Sequence, residues 1–74
     1  MTTQQLGDIV RHVRLAQNLR QDQLASAAGV GLRFLIELER GKPTAQLGKA
    51  LAVLKTLGCR VEVSTPPERA RRDT

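Results

Sequence analysis

Residues 21–43 read QDQLASAAGVGLRFLIELERGKP, and their punctuation decides the architecture. Leu24 and Ala25 give an apolar face to a short helix from about Gln21 to Ala28, and Gly29 stops it. After Val30 and Gly31 a third helix runs from about Leu32 to Arg40; Gly41 closes it and Pro43 keeps it from continuing. Two short helices joined by a tight glycine turn are therefore the centre of the chain.

Working outward, the preceding segment predicts a first helix from about Thr3 to Gln17. Thr2 and Gln5 have capping-box spacing, which satisfies two backbone amides at the helix start. Leu6, Ile9, Val10, Val13 and Ala16 make one apolar stripe at three- and four-residue spacing. Asn18 tolerates the left-handed conformation that ends such a helix. On the other side, Thr44 as N-cap and Gly58 as stop bound a fourth helix, from about Thr44 to Leu57. Its inner stripe is Leu47, Ala50, Leu51, Leu54 and Leu57.

The period then changes. Cys59, Arg60, Val61, Glu62, Val63 and Ser64 alternate apolar and polar, which predicts a strand. One strand alone leaves its ladder groups unpaired, so pairing with the same strand of a second copy across a two-fold axis is expected. An antiparallel pair centred on Val61 sets Arg60 opposite Glu62 of the other chain. Residues 65–74 are rich in proline and charge and read as a disordered tail. The expected organisation is thus one mostly α, four-helix domain with a C-terminal β-strand over residues 1–64, with dimerisation through that strand, followed by the tail.

The totals limit what this domain can do. With 74 residues there is room for one core, and a domain of this size buries only about 60% of the surface its unfolded chain exposes. One cysteine and one histidine provide neither a disulfide framework nor a metal site, so a second copy is the expected support and no metal or cofactor is expected. Twelve Lys and Arg against seven Asp and Glu give a formal charge of +5, with a pI near 10.7, which favours an anionic partner. No apolar run is long enough to span a bilayer, and no helix carries a basic face with bulky membrane anchors. The first residues do not resemble a signal peptide, and with a free thiol a cytoplasmic location is expected. With one Phe and no Trp or Tyr, the stacking platforms of single-strand binders are missing, which leaves duplex DNA as the better partner. No nucleophile is paired with a base and no phosphate loop stands out, so the chain reads as a non-enzyme.

Helix, glycine turn, helix is the plan of a helix-turn-helix, and residues 21–43 resemble the Xre/Cro repressor family. The matching positions are Gln21, Leu24–Ala25, Gly29–Val30, Leu35 and Glu39–Gly41, and the resemblance covers roughly residues 5–57. GVGLRFLIELERGKPT followed by LGKALAVLKTLG and a terminal strand is similar to one subgroup, the HipB-like antitoxins. That resemblance implies a homodimer with paired C-terminal strands that binds operator DNA, represses its own operon and neutralises a HipA-type kinase toxin. Two alternatives stand beside it: a repressor without a toxin, and an interaction module that inhibits an enzyme, with DNA binding secondary. The chain departs from the family in having Arg20 where a Ser or Thr cap is usual and Gly31 at the cap of the third helix; glycine costs little there.

In such proteins the third helix enters the major groove, with its early residues at base edges. A helical projection turns Leu35 and Leu38 inward with Phe34 beside them, and turns Arg33, Glu37 and Arg40 outward, flanked by Leu32 and Ile36. The resemblance marks Leu32, Arg33 and Glu37 as base readers: Arg33 suits guanine O6 and N7, Glu37 suits cytosine N4, and Leu32 suits a thymine methyl. An ordinary Arg33–Glu37 pair at i, i+4 on a solvated face is the competing reading. Gln21 matches the family glutamine that anchors to phosphate and braces the third helix. Arg20, Arg40, Lys42 and Thr44 are the other expected phosphate contacts, the last two beside the amides that open the fourth helix. Arg11 and Arg14 read as solvated charges, which is also the competing reading of Arg20; Phe34 reads as core, Cys59 as a small apolar strand residue and His12 as exposed. Arg69, Arg71 and Arg72 read as part of a solvated tail.

Overall fold

A computed structural model describes residues 1–43 and 46–67. Within them lie four helices: α1 (Thr3–Ala16), α2 (Gln21–Ala28), α3 (Leu32–Glu39) and α4 (Leu47–Thr56). At the start of α1 the expected capping box is formed in both directions. The Gln5 amide donates to Thr2 Oγ1 at 3.0 Å, and the Thr2 amide donates to Gln5 Oε1 at 2.8 Å. The first helix ends at Ala16 with Gln17 as C-cap, and the third ends at Glu39 with Arg40 as C-cap, each one residue short of the expected end.

All four helices of the described residues close in the same way. In each, a residue just past the helix donates its amide to a carbonyl five residues back, while the residue before the donor sits at positive φ. The pairs are Leu19 to Arg14, Val30 to Ala25, Lys42 to Glu37 and Cys59 to Leu54, with Asn18, Gly29, Gly41 and Gly58 at the turn. This closure satisfies the last carbonyls and reverses the chain within two residues. It lets four short helices stack within so few residues.

The core is Val10, Leu24, Ala25, Leu35, Leu38, Ala50, Val53, Leu54 and Leu57, with Leu6, Val13, Leu19, Ala28, Val30, Phe34 and Cys59 packed against it. Helix α1 lies on α3, while α2 lies on both α3 and α4. Gln17 Nε2 donates to the Leu57 carbonyl at 2.8 Å, tying the end of α1 to the end of α4. At its other end α1 passes so close to the close of α3 that Gly7 has no room for a side chain: a Cβ there would overlap the Leu38 carbonyl oxygen and lie 2.8 Å from that of Glu39. No helix of the described residues is long and apolar enough to cross a membrane.

Several expectations are corrected. Helix α4 begins at Leu47 with Gln46 as N-cap, three residues later than expected, and Thr44 lies outside the described residues. Its buried face is Ala50, Val53, Leu54 and Leu57, because α2 meets it there; Leu47 (66%) and Leu51 (42%) are left exposed. In α1 the buried positions are Gly7, Val10 and Arg14, so Ile9 and Ala16 face outward and Arg14 is not a solvated charge. Finally, Cys59, Arg60, Val61, Glu62 and Val63 form no strand in the single chain, where no described segment offers them a ladder. Arg60 pairs instead with Glu62 of its own chain, Nη2 to Oε2 at 2.9 Å, an i, i+2 contact between exposed side chains. Of the expected tail, residues 68–74 with Arg69, Arg71 and Arg72 lie outside the described residues, and 65–67 carry no regular structure.

Candidate nucleic-acid interface

The geometry of α2 and α3 rests on one buried polar cluster. Arg14, on the inner face of α1, meets Glu39 at the end of α3 through two parallel bonds: Nε to Oε2 at 2.6 Å and Nη2 to Oε1 at 3.0 Å. Their side chains are only 9% and 4% exposed. The third guanidinium nitrogen donates to the Leu19 carbonyl at 2.8 Å, so Arg14 also holds the turn into α2. Gln21, the first residue of α2, donates from Nε2 to Glu39 Oε1 at 3.1 Å. One carboxylate thus joins the last turn of α1, the first turn of α2 and the last turn of α3. Such a fork-to-fork pair fixes orientation as well as distance. Gln21 Nε2 thus ties the first turn of α2 to the last turn of α3.

Sequence reasoning missed Arg14 and Glu39 as partners. The signal was the position of Arg14 on the same stripe as Gly7 and Val10, at i, i+3 and i+7. A charge on a buried stripe requires a charged partner, and Glu39 lies 25 residues away in the chain.

Burying Leu35, Leu38 and Glu39 turns the opposite side of α3 outward. Leu32, Arg33, Ile36, Glu37 and Arg40 together line a shallow open surface there. Arg33 is 89% exposed, with Nη1 3.9 Å from Glu37 Oε2, so its i, i+4 contact is loose. Lys42 Nζ approaches the same Glu37 oxygen at 3.3 Å. Phe34 is half-buried against the core, with the Lys49 ammonium 5.8 Å above its ring, which places it inside the fold and off this surface.

At the start of α2, Arg20 offers no acceptor, and only half of a capping box forms: its amide donates to Gln23 Oε1 at 2.8 Å. Arg20 Nε lies 3.1 Å from Asp22 Oδ1, and this hydrogen bond holds the Asp22 carboxyl below its ordinary value. Arg40 is exposed and has no ion-pair partner among the described residues. The structure thus brings Leu32, Arg33, Glu37, Arg40 and Lys42 onto or beside one face. It leaves Gln21 and Arg20 at the start of α2.

Comparison with known proteins agrees with this geometry. Residues 10–63 match the Helix-turn-helix family model. A relative from Sinorhizobium fredii, an uncharacterized HTH-type transcriptional regulator called y4mF, is 59% identical over 70 residues, which is 95% of this chain and 92% of the relative.

Proposed function

We propose that this chain, which belongs to the helix-turn-helix family, works as a sequence-specific DNA-binding transcriptional repressor. The observation that carries the reading is the outer face of α3. It presents two cations, a carboxylate and an apolar pair that nothing in the core occupies, on a helix held rigidly by the Arg14–Glu39–Gln21 cluster. Laid in the major groove, that face sets Leu32, Arg33 and Glu37 at base edges. Gln21, Arg20, Arg40, Lys42 and Thr44 then serve the phosphates on either side. The relative's description as a transcriptional regulator supports the same role.

The test is selection of a binding site from a random duplex library, followed by titration of variants. Arg33→Ala is expected to cost about 1–3 kcal/mol on the selected site and to relax preference at one position. An equal loss on random duplex would reduce Arg33 to a phosphate contact.

We read the active form as a homodimer. Ile9 of α1, Leu47 and Leu51 of α4, and Val61 and Val63 after it leave apolar side chains in water along one groove. A second copy whose residues 59–63 pair with the same residues of the first would cover them and complete the missing ladder. Residues 1–64 are then the DNA-binding and dimerisation unit and 65–74 the tail. Leu51→Asp is expected to turn a sedimenting dimer into a monomer; an unchanged dimer would place the interface elsewhere.

The resemblance to HipB-like antitoxins supports a finer reading, that the repressor acts on its own operon and neutralises a HipA-type kinase in the cytoplasm. A tagged pull-down from the native host tests this by mass spectrometry. A stoichiometric kinase-like partner is expected; recovery of the homodimer alone would leave a repressor without a toxin.

A further inference from the structure

Glu37 is the one acidic side chain on the exposed face of α3, and a carboxylate facing DNA needs a reason. Its neighbourhood supplies one. A single oxygen, Oε2, takes Lys42 Nζ at 3.3 Å and Arg33 Nη1 at 3.9 Å, so the trio carries a net charge of +1 where two bare cations would carry +2. The Lys42 contact follows from the backbone. Gly41 at φ +79° turns the chain so that the Lys42 amide donates to the Glu37 carbonyl at 3.1 Å. The lysine stem therefore starts beside the glutamate, and little further ordering is needed to close the ion pair.

We infer that Glu37 sets specificity by holding Lys42 away from the DNA backbone unless a base donor takes its place. This rests on the reading that α3 enters the major groove. On a duplex with no donor opposite Glu37, the carboxylate keeps Lys42, and one phosphate goes unneutralised. Where an amino group such as cytosine N4 faces it, the base becomes the partner of Oε2 and Lys42 is released to a phosphate. Base recognition and one backbone contact are thereby coupled, and random sequence is penalised twice. Lys42 acts here as a positioned cation whose availability depends on Glu37.

The full chain and its variants are titrated by fluorescence anisotropy, across a salt series, against a random-sequence duplex and against the selected site. An exposed ion pair of this kind is worth about a two- to five-fold change in affinity, so Glu37→Gln should tighten random binding by about that factor. The same variant should steepen the dependence of log K on log salt by about 0.9, the mark of one added phosphate contact. Adding Lys42→Gln to Glu37→Gln should remove both gains. The inference is overturned if Glu37→Gln leaves random affinity and slope unchanged. It is equally overturned if the gains survive Lys42→Gln, since the carboxylate would then repel DNA without involving the lysine. If the unaltered chain binds no duplex at the lowest salt, the groove reading itself falls, and the inference with it.

Discussion

Arg14→Met is expected to destabilise the fold by about 3–5 kcal/mol, because it leaves the Glu39 carboxylate buried with only the Gln21 amide for company. A domain of this length has a total stability of only about 4–11 kcal/mol, so much of the population would unfold on modest heating. Replacing both partners, Arg14→Met with Glu39→Leu, should recover most of that loss, since the charged group that lost its partner is then gone as well. Urea titration followed by circular dichroism measures all three proteins. The double variant separates stability from function: it should fold and yet bind the selected duplex more weakly, because Gln21 no longer has Glu39 to hold it against α3. An Arg14→Met protein that melts with the parent would mean that the pair is solvated and does not brace the helices.

Gly7→Ala is expected to cost about 3 kcal/mol, the upper end for forcing a methyl into a packed interior. Helix propensity argues the other way, favouring alanine by about 1 kcal/mol. Sterics win because the atoms in the way are the Leu38 and Glu39 carbonyls and the Gly41 amide nitrogen, 2.9 Å from the added carbon. These are backbone atoms that no rotamer change can move aside. Relief requires α1 to lift from α3, which would pull Arg14 from Glu39. For a domain of this size the loss corresponds to roughly 12–24 °C in melting temperature. The same change at Gly48 in α4, where a Cβ would meet nothing within 4 Å, should stabilise by up to about 1 kcal/mol. If the two glycines respond alike, the close approach of α1 to α3 is wrong.

The outward face of α3 is legible in the amino-acid sequence alone, because Leu35 and Leu38 point inward at helical spacing and leave Leu32, Arg33, Glu37 and Arg40 on the other side. The Lys42–Glu37 contact is not, since a five-residue spacing spans the end of the helix and depends on the turn made at Gly41. The apolar groove is half legible. Leu47 and Leu51 stand out as apolar positions of α4, but their spacing does not tell the face covered by α2 from the one left in water. A stripe of leucines fits either destination.

By itself the sequence determined where each helix of the motif begins and ends: Thr2 and Gln5 at the start of α1, Asn18 at its close, Gly29 after α2, and Gly31 and Gly41 around α3. These are decisions between residues within about five positions of one another, made by backbone amides and carbonyls that must find partners locally. Only the tertiary structure decided which apolar face is buried, that Gly7 must have no side chain, and that Arg14 and Glu39 meet across 25 residues. Those outcomes depend on how four helices pack, and packing is a property of surfaces in contact that no local pattern contains.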